Sequence, residues 1–294
     1  MTESLHRIFD RNVLRIERRL THPPAKVWRA VTEPAELKHW FPATPSFELV
    51  PHAKMTFRFS EDEAEPSVGE VLEVEPPRLF AFSWGGELFR IELRPATFGC
   101  LLVFTHTFDD RPKAASYATG WSLCLDALAA ALAGGGEVGS WSPELHEAYV
   151  MRFGLDYGSA ADGVVRFERV YPVPLDKVWS ELTESETPAV GGEPPLPTTN
   201  GYVPTGPVTA VEPSQLLEYQ SGEGRVRFEF APDPTGVRVT LIDSAPDDPA
   251  VSLAAWHVHL ESFGKHLQGV DVCPWPERRT EELRQAYAAQ LQPR

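Results

Sequence analysis

Apolar residues recur along this chain at two periods, and the clearer one is helical. Ala114, Ala118, Trp121, Leu125, Leu128 and Leu132 follow at steps of four and three, which puts six side chains on one face of a helix about five turns long. Gly134, Gly135 and Gly136 then supply a stop suited to a left-handed helix cap. The same interval returns in Trp256, Leu260, Phe263 and Leu267 before Gly269. The second period is two. Residues 13–20 alternate Leu14 and Ile16 with Arg15 and Glu17, the pattern of a half-buried strand. Pro23 and Pro24 predict a helix start, with Val27, Trp28 and Val31 facing inward. Pro34 opens a second short helix carrying Leu37, Trp40 and Phe41.

Strands are expected at 46–50 and 55–60, an exposed turn at 61–67, and then an antiparallel meander at 69–74, 79–84, 88–94 and 100–108. Alternation gives the meander one aromatic face, formed by Phe80, Phe82 and Trp84, by Phe89, Ile91 and Leu93, and by Leu102, Phe104, His106 and Phe108. The Trp121 helix lies opposite. One helix does not fill the concavity of a strongly curved sheet, so a residual cavity is expected, walled by Trp40, Phe82, Trp84, Phe89, Phe104, His106, Tyr117, Trp121 and Leu125. The plain alternative is that these rings fill an ordinary core.

The chain then begins again. Aligning Trp28 with Trp179 matches Arg15, Glu17, Arg18, Pro23, Lys26, Val27, Trp28, Thr32 and Glu33 with Arg166, Glu168, Arg169, Pro174, Lys177, Val178, Trp179, Thr183 and Glu184. Gly69, Arg90, Glu92, Gly99 and Trp121 find Gly206, Arg227, Glu229, Gly236 and Trp256 in the same order. The pattern predicts a complete domain at 1–157, a linker at 158–163 rich in Gly, Ser and Ala, and an abridged copy at 164–294. The abridgement falls after Trp179, where Pro- and Gly-rich residues 186–205 replace the second helix and two strands. The second copy is therefore expected to lack part of its cavity wall.

Composition narrows the class. The 294 residues are 42% apolar, and the formal net charge is −15. Cut at Gly154, the halves carry 16 basic against 21 acidic residues and 11 against 21, so neither offers a basic patch for nucleic acid or an anionic membrane. The first residues lack the basic and apolar runs of a signal peptide, and no apolar helical stretch is long enough to span a bilayer. A cytoplasmic location follows as the expectation. Three cysteines, Cys100, Cys124 and Cys273, have no metal-finger spacing and suit a reduced compartment.

Candidate chemistry is sparse. His106 shares the parity of Phe104 and Phe108 and so faces the long helix, where an imidazole can exchange a proton. Without a paired carboxylate in view, a core histidine bonded to backbone or to Tyr117 is the simpler account. Asp126 points off the helix stripe. His257 and His259 diverge on their helix, whereas His259 and His266 share a face with Cys273 beyond, a weak metal pattern that lacks ligands. No phosphate loop, nucleotide fingerprint or nucleophile elbow is present, and no cofactor is implied.

The run Val27-Trp28-Arg29-Ala30-Val31-Thr32 with Pro34, Leu37, Trp40 and Phe41, the hairpin from Gly69 to Trp84, and the helix from Trp121 to Leu132 resemble the activator-of-heat-shock-chaperone-ATPase branch of the SRPBCC, or START-like helix-grip, superfamily. The resemblance covers most of 13–133 and, more weakly, 164–269. It implies an α+β fold in two tandem copies, each a curved antiparallel sheet wrapped around a long C-terminal helix, the complete one having an N-terminal strand, two small helices and six further strands. Members of that superfamily include carriers of apolar ligands, polyketide cyclases and chaperone-linked proteins. Three functions follow as expectations: a non-catalytic pocket for a small apolar or aromatic molecule, a cyclase-, aromatase- or hydrolase-type enzyme using His106, and an interaction protein with a chaperone or other protein partner.

Overall fold

The computed structural model describes residues 2–60, 65–270 and 273–292. The chain divides into two compact units, Met1–Tyr149 and Val150–Arg294. The division falls inside a helix, α4 below.

The first unit is an eight-stranded antiparallel sheet with one long helix. Its strands are β1 (Thr2–Ile8), β2 (Arg11–Leu20), β3 (Thr44–Ser46), β4 (Lys54–Arg58), β5 (Ser67–Glu75), β6 (Leu79–Trp84), β7 (Glu87–Pro95) and β8 (Cys100–Phe108), in the spatial order β1-β2-β8-β7-β6-β5-β4-β3. Helices α1 (Pro24–Thr32) and α2 (Pro34–Leu37) connect β2 to β3, and α3 (Ala114–Leu132) follows β8, with α4 (Pro143–Arg152) after it. Proline opens α1 and α2, as its fixed φ and missing N–H favour at a first helical turn. The expected stripe is buried along α3: Ala114, Ala118, Trp121, Leu125, Leu128 and Leu132 all face the interior. At its end Gly134 takes φ +88°, and Gly135 N donates to Ala130 O across 2.9 Å, a left-handed cap.

Two points differ from the expectation, and a third lies largely outside the described residues. The strand placed at 46–50 is instead Thr44–Ser46; Phe47 leaves the ladder and stacks on Phe80, with ring centroids 5.6 Å apart. β1 escaped notice because its sequence, with six of seven residues exposed or half-exposed, has little apolar alternation; it is recruited by full register with β2, from Thr2 opposite Glu17 to Ile8 opposite Arg11. The turn expected at 61–67 lies largely at 61–64, outside the described residues.

The second unit repeats the order with fewer strands. β9 (Ser159–Ala161), β10 (Val164–Tyr171), β11 (Val208–Glu212), β12 (Leu216–Ser221), β13 (Gly224–Asp233) and β14 (Gly236–Ser244) lie as β11-β12-β13-β14-β10-β9, so β9 to β14 take the places of β1, β2, β5, β6, β7 and β8. Helices α5 (Leu175–Leu182), α6 (Pro249–His266) and α7 (Glu277–Leu291) complete it. The stretch expected as a linker, 158–163, is part of the sheet: Asp162 and Gly163 both take positive φ and turn β9 back onto Val164–Arg166. Among the described residues this sheet has no counterparts of β3 and β4, as the shortened sequence implied. In their place the 186–205 loop lays Gly191 and Gly192 beside the outer edge of β11. There Gly191 N donates to Val208 O and Val208 N donates to Gly192 O, each at 2.8 Å. α7 was not anticipated; its narrow stripe of Leu283 and Tyr287 is buried in the second core.

The two long helices are held at their ends in the same way. Lys26 Nζ donates to Leu132 O across 3.1 Å, and Lys177 Nζ donates to Leu267 O across 3.2 Å. A lysine at this point satisfies a carbonyl that no turn of helix follows and meets the negative end of the helix dipole.

Candidate functional site

In the first unit the inward face of β6, β7 and β8 presents rings to Trp121 of α3. Trp121 lies 4.7 Å from Phe104 and 5.5 Å from Phe89, centroid to centroid; Phe82 stacks on Phe89 at 5.1 Å, and Trp84 on Phe57 at 4.4 Å. Phe82, Trp84, Phe89, Phe104, His106, Tyr117 and Trp121 thus form one cluster. Trp40 meets it through the edge of Phe41, and its indole Nε1 donates to Ala30 O across 2.9 Å. Leu125 is buried one turn further along α3.

The expected residual cavity is filled. Phe41, just beyond α2, places its ring within 5.7–6.1 Å of Phe57, Phe82, Trp84 and Trp121, occupying the middle of the concave face. A void of about 10 Å³ remains beside it, lined by apolar side chains from α1, α2 and the sheet, including Val31, Leu37, Met55 and Phe80. That is the space of about one water molecule. Sequence spacing placed the rings on the right face. It could not sum their volumes.

His106 lies at the polar end of the cluster. Its ring stacks on Phe89 at 4.3 Å and is enclosed by Phe108 and Tyr117, leaving 1% of the residue exposed. Its partner is a carboxylate: Nε2 and Glu87 Oε2 are 2.7 Å apart, and Tyr117 Oη donates to Glu87 Oε1, also at 2.7 Å. Burial pushes the imidazole below its ordinary value against the opposing pull of Glu87. Partial burial pushes the Glu87 carboxyl up, but the hydrogen bonds from His106 and Tyr117, with the nearby charge of Lys113, outweigh it and hold the group low. The pair is therefore read as a neutral imidazole whose Nε2–H donates a hydrogen bond to an ionised carboxylate. Its Nδ1 is left as an acceptor, buried and without a hydrogen-bond partner.

Glu87 was missed, yet its parity was available: it stands two residues before Phe89 on the same strand face. Asp126, off the stripe, is half-exposed and accepts from Arg18 Nε at 3.0 Å. In the second unit His257 and His259 diverge as their spacing required. His257 lies between Asp156 and Tyr287, whereas His259 packs against the Trp256 ring. His266 pairs with Glu181, and among the described residues no three His, Cys, Asp or Glu side chains are grouped so as to hold a metal ion. No helix among the described residues is long and apolar enough to cross a membrane.

Residues 21–133 match the family described as "Activator of Hsp90 ATPase homolog 1-like protein". No curated protein matches the chain. Among solved structures, a conserved protein of unknown function from Enterococcus faecalis is similar at 19% identity over 51% of this chain and 89% of its own, with a TM-score of 0.45. CalU16 from Micromonospora echinospora is similar at 21% identity over 52% and 94%, with a TM-score of 0.40.

Proposed function

We propose, for a chain whose first unit carries a domain of the Activator of Hsp90 ATPase homolog 1-like, SRPBCC helix-grip type, that this unit is a non-catalytic binder of a small apolar or aromatic molecule, and that Phe41 holds the guest's place when no guest is bound. The observation behind the reading is the position of Phe41. Its ring is supplied by the short connection between α2 and β3 rather than by the sheet or α3, and it touches four rings that line the concave face. Withdrawing that one side chain would join its volume to the apolar void beside it. A cavity with such walls stays dry and accepts a ring.

Thermal unfolding of the full chain with a panel of lipids, flavonoids and polyketides tests this, together with the Phe41→Ala variant. The variant is expected to lose about 3–5 kcal/mol of stability, as large-to-small changes of buried Phe do. It should regain part of that loss on addition of indole or toluene, which bind the folded state only. A wild-type protein indifferent to the whole panel, with a Phe41→Ala variant that indole leaves unchanged, would defeat the reading.

A catalytic reading has one observation in its favour, the hydrogen-bonded Glu87–His106 pair, which has the form of an oriented general base. Against it, His106 Nδ1 is sealed beneath rings. Any turnover found for the protein should then survive His106→Ala; its loss would favour catalysis over carriage.

A further inference from the structure

The two units carry the same register at the same place, so their side chains can be compared position by position. Trp84 pairs with Glu87 across the β6–β7 turn, and Phe89 with His106; Ser221 pairs with Gly224, and Val226 with Asp243. On the long helices Tyr117 stands four residues before Trp121, and Ser252 four before Trp256. Thus Ser221, Gly224, Asp243 and Ser252 occupy the positions of Trp84, Glu87, His106 and Tyr117, and Ala245 that of Phe108. Each replacement is smaller. At Gly224 no larger residue fits, since a Cβ would lie 1.5 Å from Ser244 O.

Where the first unit has its packed polar cluster, the second has a cleft of about 120 Å³. Asp243 lies at its base with 1% of its surface exposed. Its Oδ2 accepts from Ser252 Oγ at 2.5 Å and from Trp256 Nε1 at 3.3 Å, which fixes the carboxylate, while Oδ1 accepts no hydrogen bond from the described residues. Ser221 adds a second buried hydroxyl, and Val203 and Val251 give apolar walls. Asp247 and Asp248 add negative charge, and among the described residues no Lys, Arg or His lines the cleft. Burial pushes the Asp243 carboxyl above its usual range, with Asp247 adding to the effect. A buried carboxylate without a cation is held at a cost that a bound cation removes.

We infer that this cleft binds a small primary ammonium ion carrying a short apolar chain, with Asp243 Oδ1 and the Ser221 hydroxyl receiving the ammonium group. A bare metal ion is disfavoured because three suitable ligands do not converge there among the described residues. At roughly 10–15 Å³ per water-sized atom the space suits a ligand of on the order of eight heavy atoms. The site is separate from the binding proposed for the first unit, and either can fail alone.

The indole N–H of Trp256, bonded to Asp243, is a local reporter. In an NMR titration of the full chain with n-butylammonium chloride, this resonance, assigned by its loss in Trp256→Phe, is expected to shift with a dissociation constant of about 1 mM or tighter. Equal concentrations of n-butanol and sodium butyrate should leave it in place. Asp243→Asn should weaken binding at least about tenfold, and Ser221→Trp, which restores the bulk found at that position in the first unit, should abolish it in a folded protein. A resonance that ignores butylammonium, that responds equally to butanol or butyrate, or that still shifts in Ser221→Trp would overturn the inference.

Discussion

At the residue scale, a single polar position on the strand facing the long helix sets the character of each unit. His106 takes a carboxylate partner and is walled in, whereas Asp243 binds the helix indole and keeps one oxygen unbonded. His259 shows how strongly burial governs titration here. Burial holds it down to about 4 from an ordinary 6.5, a backbone bond at Pro197 opposing. A histidine depressed in the folded state stabilises the protein fully above the unfolded value and loses that contribution as pH falls toward the folded one. Between pH 6.5 and 4, at about 1.4 kcal/mol per pH unit, this group accounts for roughly 3 kcal/mol. Urea unfolding over that range should show a shallower acid loss in His259→Gln than in the parent.

Several identities that disclosed the repeat prove to be joints of the fold. Thr32 and Thr183 each bond the carbonyl four residues back, to Trp28 and Trp179. Arg90 and Arg227 each pair with the glutamate two residues on. Gly99 and Gly236 sit where a Cβ would strike the backbone carbonyl of Leu20 or of Tyr171, at 1.9 and 2.2 Å. Geometry of this kind constrains residue type directly, and so it was legible in sequence. The filling of the concave face was not, because it depends on where Phe41 falls after a connection of irregular backbone. Likewise β1 and α7 owe their form to neighbours, with little pattern of their own.

At the element scale the lysines are the sharpest case. Lys26 and Lys177 each tie an early helix to the last turn of the long one. Lys26→Met and Lys177→Met keep the aliphatic stem and remove the donor, and each is expected to lower stability by about 0.5–1.5 kcal/mol. The two bonds share no partner, so the double variant should show the sum within about 0.5 kcal/mol. Chemical denaturation of the three variants measures it; a double variant far from additive would mean that the two helix ends are energetically coupled.

For the whole molecule, the sequence foretold two related α+β units and the shortening of the second, because strand order follows from the meander and its short turns. It did not foretell which unit holds open space. Among the described residues the concave face of the aromatic-rich first copy is filled around Phe41, and the cleft with the buried acid belongs to the copy that lost strands.

That loss should have left β11 as a raw margin, ready to recruit a strand from another molecule. The backbone of Gly191 and Gly192 occupies the start of that edge with two bonds to Val208. Gly191→Pro removes one donor and forbids the φ of +85° found there. Light scattering at rising concentration should then detect oligomers absent from the parent protein. A loop that looks like the scar of a deletion is then also the piece that occupies part of the margin the deletion opened.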